Sequence, residues 1–311
     1  MKLNFREVTR GLKFPEGPIA MADGSVLVVE IEGATLTRVL PDGAKQVVAH
    51  LGGGPNGAAI GPDGKCYVCQ NGGFNWVHHE DGFARPHGRA DTYERGGIQR
   101  VDLETGAVEW VYDRCGDVPL FGPNDIVFDA QGGMWFTDHG KSYDRIMDRG
   151  AIYYARTDGS LIKEVVFPMI TGNGVGLSPD GKTLYATETE TGRLWAWPIM
   201  GPGEVAKEAW PSPHGGKMLG GPQGYQRFDS LAVEAGGNIC VASLVHGGIS
   251  VFAPEGGLVE WYEADEPYCT NIAFGGLDMR TAFITLSGYG RLVAVDWPRP
   301  GLALNDPLTA R

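Results

Sequence analysis

The chain has no uninterrupted apolar run of the roughly 18 residues that a membrane-spanning helix needs, and its N-terminal residues 1–7 lack the apolar stretch of a secretory signal. We therefore expect a cytoplasmic protein that does not enter a membrane. Basic residues are also scarce relative to acidic ones, since the 311 residues carry a formal charge of −12. Nucleic acids and anionic membranes are bound through clustered Lys and Arg, so this balance predicts that neither is a partner.

Cysteine is scarce as well, with five residues spread from Cys66 to Cys269. An odd, scattered set does not make the disulfide framework of a small secreted domain, and a chain of this length forms a core without cross-links. Cys66 and Cys69 have the spacing of a redox or zinc pair. The sequence around them predicts a strand, however, in which positions three apart face opposite sides. We interpret both as buried structural thiols.

No stretch has a convincing amphipathic helical pattern, whereas 48 glycines and 20 prolines are scattered between short apolar runs. Such punctuation marks frequent turns between strands. A short turn-plus-strand phrase recurs six times, and we call the residue that opens each copy a ring residue. The ring residues are Glu16, Asn56, Asn124, Asn173, Asp229 and Thr270. In five copies a glycine follows eight residues later, which keeps the turn in phase.

Further strands separated by glycine-containing turns follow each phrase, giving three or four strands per copy. Six such units predict an all-β fold, a six-bladed β-propeller formed by residues 1–311 as a single domain. The first strand of each blade of a propeller lies beside the central channel, so the ring residues are predicted to meet at one mouth. Spacing between ring residues is widest where long loops occur, at about 71–96 and 200–228. We expect these loops to lie over the channel mouth.

Carboxylates and carboxamides gathered in a channel need a partner, because burying a charge without one is costly. One divalent cation would meet this need, with Glu16 and Asp229 supplying negative charge and Asn side-chain oxygens filling further positions. Oxygen ligands favour Ca²⁺, followed by Mg²⁺ or Mn²⁺, whereas Zn²⁺ more often recruits His or Cys. The alternative is a hydrogen-bonded plug of side chains that holds no metal.

Four segments, taken in order, resemble the motifs of the regucalcin (senescence marker protein) and gluconolactonase family. They are Phe14-Pro-Glu-Gly-Pro18, Gly122-Pro-Asn-Asp125, Gly172-Asn-Gly-Val-Gly-Leu-Ser-Pro-Asp-Gly181 and Phe228-Asp-Ser230. The resemblance extends over about residues 14–296. It implies a six-bladed propeller that uses one divalent metal in its channel to hydrolyse lactones or, in some branches, organophosphates.

Carried over by motif, the resemblance implies Glu16, Asn173 and Asp229 as metal ligands. It implies Asn124 as a fourth ligand or as a substrate contact. One position departs from the pattern: Gly122 stands where some animal members have an arginine. The sugar-acid selectivity of those members therefore does not transfer.

Three further residues are candidates for substrate binding. Asn56 is a ring residue that would contact substrate or a metal-bound water, or simply cap its turn. Asn71 ends a strand where the first long loop begins, so a turn role competes with a substrate contact. His139 follows a comparable strand end and is a candidate acid-base group or substrate donor.

These patterns favour a hydrolase acting on a small-molecule lactone, with an aldonolactone as the first candidate. In that mechanism the metal polarises the carbonyl and water attacks, with Asp229 as general base; direct attack by Asp229 is the competing route. A phosphotriester or fluorophosphate hydrolase is an alternative on the same ligands, and a non-catalytic calcium-binding propeller is another. No feature of the sequence predicts an oligomeric state.

Overall fold

Six antiparallel sheets of four or five strands follow one another along the chain in the computed structural model, which describes residues 1–2, 4–305 and 308. These residues contain no helix, and hence none long and apolar enough to cross a membrane. One strand, β1 (Arg6–Arg10), precedes the first sheet. Each sheet is called a blade, and the blades are numbered 1 to 6 in the order in which they follow β1 along the chain.

The first three blades lie between residues 15 and 169. Blade 1 consists of β2 (Pro15–Ala20), β3 (Val26–Glu30), β4 (Thr35–Val39) and β5 (Lys45–His50). Eight strands follow up to blade 3: β6 (Pro55–Ile60), β7 (Cys66–Gln70), β8 (Phe74–His78), β9 (Ala84–Arg89), β10 (Gly97–Val101), β11 (Val108–Tyr112), β12 (Arg114–Cys115) and β13 (Val118–Pro119). Blade 2 is the sheet formed by β6, β7, β10 and β11. The next six strands are β14 (Pro123–Phe128), β15 (Gly133–Asp138), β16 (Ser142–Tyr143), β17 (Ile146–Met147), β18 (Gly150–Arg156) and β19 (Ile162–Met169). Blade 3 is the sheet formed by β14, β15, β18 and β19. The pairs β8–β9, β12–β13 and β16–β17 are separate hairpins.

The last three blades lie between residues 172 and 296. Blade 4 consists of β20 (Gly172–Leu177), β21 (Thr183–Glu188), β22 (Arg193–Gly201), β23 (Glu204–Val205) and β24 (Lys217–Gly220). Blade 5 consists of β25 (Arg227–Val233), β26 (Ile239–Leu244), β27 (Gly248–Phe252) and β28 (Leu258–Glu263). Blade 6 contains β29 (Cys269–Gly275), β30 (Thr281–Leu286) and β31 (Arg291–Asp296).

The first strands of consecutive blades contact one another, and β29 contacts β2, so six inner strands surround one channel. Blade 6 is completed by β1, which pairs antiparallel with β31 from Arg6 opposite Ala294 to Arg10 opposite Arg291. The N-terminal strand therefore closes the ring by hydrogen bonds to the last blade. This arrangement confirms the predicted all-β, six-bladed propeller.

Adjacent blades pack through apolar faces, because alternate residues of each strand face opposite neighbours. On β7, Cys66 packs in a cluster with blade 1, whereas Cys69 packs in a cluster with blade 3. Both thiols are free and buried, and burial raises the pKa of Cys66 to about 12. They are structural thiols, as their spacing within a strand predicted.

Residues 200–228 depart from the expected loop. Both β23 and β24 pair with β22, and β24 forms the outermost strand of blade 4. Buried His214 packs between Trp195 and Trp197, which ties the intervening segment to the same blade. The expectation of a loop over the channel mouth is therefore wrong for these parts. The Gly and Pro content of this stretch is typical of a loop. The pairing of β24 with the open edge of β22 depends on tertiary structure, which the local sequence does not reveal.

The end of the channel opposite the ring residues is covered by residues 301–305, which we call the C-terminal segment. Gly301 and Leu302 donate backbone hydrogen bonds to Met279 and Val233, and the Asn305 amide donates to the carbonyl of Phe128. Between this segment and the ring lies a cavity of about 270 Å³, which we call the floor cavity. Its apolar wall includes Ile19, Ile126, Val175, Leu177, Leu231, Ile272 and Phe274.

Candidate functional site

All six ring residues lie at the same level of their inner strands. Each is the second residue of its strand except Asp229, which is the third. Five are buried, and Asp229 is half-buried. In all six strands the pairing register shifts at or directly after the ring residue. Such bulges bend a strand and redirect its side chains, and here the same irregularity recurs around the channel.

Three carboxyl groups lie close enough to interact: those of the ring residues Glu16 and Asp229, and that of Asp125, which also lines the floor cavity. Glu16 Oε2 accepts hydrogen bonds of 2.7 Å from Asn271 Nδ2 and from the backbone of Gly17, yet burial raises the pKa of Glu16 to about 7. Burial, followed by the charge of Glu16, raises the pKa of Asp229 well above its usual range. Burial also raises the pKa of Asp125 to about 8, and Glu16 adds to that rise. The three groups therefore repel one another when ionised.

Asp125 was not among the residues predicted from the sequence. Its carboxylate accepts backbone hydrogen bonds from Ile126 and, across to the next blade, from Val175. The available signal was its place directly after Asn124 in the repeated phrase, where the other copies have Gly17, Gly57, Gly174, Ser230 and Asn271. Only this copy puts a carboxylate there.

The amide oxygens complete the polar lining. Asn173 Nδ2 donates to Thr189 Oγ1 at 2.9 Å, while its Oδ1 has only a long contact, 3.4 Å, from Ser230 Oγ. Asn124 Oδ1 is buried and has no hydrogen-bond partner among the described residues. A buried carbonyl oxygen without a donor is unfavourable. These oxygens and the mutually repelling carboxyls fit a hard cation, which would satisfy both.

A cation site made only of ionisable side chains is not present in the described part of the chain, where no group of three or more His, Cys, Asp and Glu is arranged to hold a metal. A site at the ring would therefore need the amides of Asn124 and Asn173 as well as the carboxylates. The histidines of the first long loop do not form such a cluster either. His78, for example, lies 2.8 Å from Glu32 at the surface.

Asn71 does form the expected turn, since its Oδ1 accepts a hydrogen bond of 2.7 Å from Gly73 N. The same oxygen accepts from Lys141 Nζ at 3.1 Å, and Lys141 also donates to the Gly73 carbonyl. Asn71 Nδ2 is buried and lacks a partner among the described residues. The amide is thus fixed by its oxygen with its donor free. The buried Lys141 was not predicted; burial lowers its pKa to about 7.

The remaining candidates differ in what they can contribute. His139 is half-buried, and burial followed by the charge of Lys141 lowers its pKa to about 4, so its imidazole is neutral near pH 7. Asn56 is buried in β6. Thr270 Oγ1 is occupied by hydrogen bonds with Thr285 and Ser287 of its own blade, which makes it a structural member of the ring.

Residues 71–96 contain the hairpin β8–β9 (Phe74–Arg89), which we call the lid hairpin. It extends from blade 2 towards blades 1 and 6: the rings of Trp76 and Phe14 lie 4.9 Å apart, and those of Phe83 and Tyr268 lie 5.4 Å apart. Ala84 N also donates to the carbonyl of Gly288. Phe14 and Tyr268 each lie two residues before a ring residue. The lid hairpin therefore lines one side of the channel mouth with aromatic rings.

The curated proteins that this chain resembles include lactonases and a fluorophosphatase. Lactonase drp35 of Staphylococcus saprophyticus is 29% identical over 245 residues, covering 78% of this chain and 67% of that protein. Diisopropyl-fluorophosphatase of Loligo vulgaris is 32% identical over 147 residues, covering 44% of this chain and 45% of that protein. The chain spans about two thirds of the length of the staphylococcal lactonases that it matches.

Solved structures share the fold along almost the whole chain. A gluconolactonase from Xanthomonas campestris superimposes with a TM-score of 0.73 at 20% identity, covering 94% of this chain and 89% of that one. A calcium-binding protein, regucalcin, from Agrobacterium tumefaciens also has a TM-score of 0.73 at 20% identity, covering 98% and 99%. The model of the SMP-30/Gluconolactonase/LRE-like region matches residues 14–288, in agreement with the motif resemblance. The chain therefore belongs to the SMP-30/gluconolactonase/LRE-like family.

Proposed function

We propose that this protein is a metal-dependent lactonase. The observation that carries the proposal is the convergence of Glu16 and Asp229 with buried amide oxygens at the ring, beside Asp125, which lines the floor cavity. The pKa values of all three carboxyls are raised. Family membership and relatives named lactonase and gluconolactonase support lactone hydrolysis as the reaction class. The cytoplasmic location and the choice of an aldonolactone as substrate stay predictions from the sequence.

Glu16, Asn124, Asn173 and Asp229 would hold one divalent cation, with Ca²⁺ first, Mg²⁺ or Mn²⁺ next, and Zn²⁺ least suited to oxygen ligands. The calcium-binding description of the Agrobacterium neighbour is consistent with this order. When bound, the cation supplies positive charge that polarises the lactone carbonyl and stabilises the developing oxyanion.

Asp229 acts as the general base in this proposal. Its carboxylate is half-buried, so a water molecule can approach it. It takes a proton from the attacking water at a side-chain oxygen. Asn71 Nδ2 donates a hydrogen bond to the substrate, and the lid hairpin reduces the access of bulk water.

Attack by Asp229 itself on the carbonyl is the competing route, because a carboxylate is also a nucleophile. Single-turnover hydrolysis in heavy-oxygen water separates the two. In direct attack, Asp229 forms a mixed anhydride with the lactone carbonyl and the ring oxygen leaves and takes up a proton. Hydrolysis of this anhydride at the Asp229 carboxyl carbon leaves the label in Asp229, which peptide mass spectrometry detects. General-base catalysis leaves the label only in the hydroxy acid product.

Phosphotriester or fluorophosphate hydrolysis is the second candidate, favoured by the similarity to the Loligo enzyme over part of the chain. The decisive experiment is a pH-indicator screen on chelated protein with Ca²⁺, Mg²⁺, Mn²⁺ or Zn²⁺ added back singly. Aldonolactones, simple lactones and a fluorophosphate are compared. Hydrolysis of a lactone that depends on the added ion supports the proposal. A protein that gains thermal stability from Ca²⁺ but hydrolyses none of these substrates is a calcium-binding propeller instead.

A further inference from the structure

One charged residue stands at the rim of the channel mouth. The rim residues, two positions before each ring residue, are Phe14, Gly54, Gly122, Thr171, Arg227 and Tyr268. Arg227 alone among these six is charged, and it begins β25, the strand that carries Asp229. Arg227 therefore lies two residues before Asp229, the proposed general base, on the same strand.

Only part of the Arg227 guanidinium is satisfied within the protein. One terminal nitrogen lies 3.0 Å from Glu190 Oε2, in an ion pair whose side chains are 36% and 37% exposed. An ion pair of that exposure contributes little to stability. Arg227 Nε is buried and has no hydrogen-bond partner among the described residues. An anion can reach the exposed part of this side chain but not its buried Nε, and a guanidinium presents parallel N–H donors that match the two oxygens of a carboxylate.

The charge of Arg227 acts across the mouth. After burial and Lys141, it contributes to the lowered pKa of His139 in blade 3. It also opposes, after Arg85 of the lid hairpin, the rise in the pKa of Tyr268 that burial causes before blade 6. His139 and Tyr268 belong to different sides of the channel. The charge of Arg227 therefore lies within range of both residues, and Glu190 and Asp229 are the carboxylates that act on the same tyrosine.

The aromatic side of the mouth, formed by residues that precede blades 1 and 6, strengthens any charge pairing there. Phe14 and Tyr268 pack edge to face at 5.8 Å, and Trp76 covers Phe14 from the lid hairpin. Aromatic rings exclude water and lower the local dielectric, which makes a charge-assisted hydrogen bond stronger than at an open surface. Because the whole protein carries a charge of −12, an anionic substrate has to be held by local contacts and not by long-range attraction.

We propose that Arg227 is a specificity-determining residue that binds a carboxylate on the substrate. The preferred substrates are then lactones that carry an anionic substituent, with the lactone carbonyl at the ring and the carboxylate at Arg227. This inference rests on the lactonase function proposed above.

The test compares two γ-lactones that differ only in a side group, a carboxylate in one and its carboxamide in the other. Arg227→Gln is expected to raise KM for the carboxylate about tenfold, the loss of about one charge-assisted hydrogen bond, and to leave KM for the carboxamide within about twofold. Arg227→Lys, which keeps the charge but loses the fork, should recover part of the difference.

Glu190→Gln is the matched control, because it breaks the same ion pair and leaves Arg227 charged. A substrate role predicts opposite results: KM for the carboxylate is unchanged or lower in Glu190→Gln, and higher in Arg227→Gln. If the pair serves only to join blades 4 and 5, both variants lower the melting temperature alike and neither changes the ratio of the two KM values. That result overturns the inference.

Failure of the two proposals can be told apart. A metal-loaded wild-type protein that hydrolyses neither lactone contradicts the lactonase function. Arg227 is then tested by titration calorimetry with cyclopentanecarboxylate, an inert ring that bears the same anion. Binding to the wild type that is lost in Arg227→Gln supports an anion site, whereas equal or absent binding in both proteins overturns it.

Discussion

The two ends of the six inner strands are built on opposite principles. At the ring end, Glu16 and its counterparts are polar and lie beside register shifts, and some of their atoms have no partner among the described residues. A few residues further along the same strands, Ile19, Leu177 and Phe274 line the floor cavity, which the C-terminal segment covers. Stability and function are therefore separated along single strands: the floor end supplies apolar burial, and the ring end retains electrostatic repulsion that a ligand would relieve.

The largest predicted effect, which tests the difference between the two ends most directly, is the loss of activity when a ring carboxylate is replaced. Glu16→Gln and Asp229→Asn should each lower kcat/KM by more than about a hundredfold, because each removes a charge that balances the proposed cation. Neither change should lower the stability of the chelated protein, since each relieves repulsion among buried carboxyls. Steady-state kinetics and thermal melts check both points, with Glu7→Gln at the surface as control. Near-normal rates would contradict the ligand assignment.

The next largest effect is a pH dependence of stability that bound metal suppresses. The folded-state pKa values of Glu16, about 7, and Asp125, about 8, lie above the ordinary values of 4.5 and 3.8. Their contribution to stability is therefore fully present below the ordinary values and is lost as pH rises through 7 to 8. The melting temperature of the chelated protein should fall from about pH 4 to about pH 8 and then level off, and Ca²⁺ should reduce that fall. Equal melting curves with and without metal would count against a cation at the ring.

A smaller effect is expected at the lid hairpin. Trp76→Ala removes the ring that packs on Phe14 and opens one wall of the mouth. KM should rise roughly fivefold, because one aromatic contact is worth about 1 kcal/mol, with kcat less affected. Trp110→Ala is the matched control, since this half-exposed tryptophan lies in the outer strand of the same blade. A similar change in KM for both variants would show that the lid hairpin has no special role.

The smallest effect is expected at the floor, on the strand that carries Glu16. Ile19→Val removes one buried methylene and should lower the free energy of unfolding by about 1 kcal/mol. Activity should stay within about twofold of the wild type, because Ile19 lines the floor cavity and not the ring. Denaturant melts and kcat/KM measure the two quantities. A loss of activity comparable to that of Glu16→Gln would end the proposed separation along β2.

The repeat predicted the fold because phase is a local property. The six ring residues and, in five copies, the glycine eight positions later could be read directly, and they placed the inner strand of every blade correctly. The pairing of β1 with β31 and of β24 with β22 could not be read, because each depends on an open sheet edge that exists only in the folded protein. Local patterns contain no information about such edges.

The candidate site shows the same limit. Glu16, Asn124, Asn173 and Asp229 were identified by repetition and resemblance, and the structure gathers the charges of Glu16 and Asp229 with that of Asp125. Asp125 was missed because it breaks the pattern of its counterparts, and Lys141 because its contact with Asn71 joins two blades. Repetition reveals what the blades share, whereas these two residues are peculiar to one blade each.

The closing of the ring has a consequence for the order of events during synthesis. Glu16 receives its hydrogen bond from Asn271, 255 residues later, across the joint where β1 completes blade 6. A nascent chain that lacks the last blade has already made most of the polar lining but lacks the Asn271 donor, so Glu16 keeps only the hydrogen bond from Gly17. The site is therefore incomplete until β29 to β31 have left the ribosome and captured β1, so a truncated chain would resemble a propeller long before it acquired a competent centre.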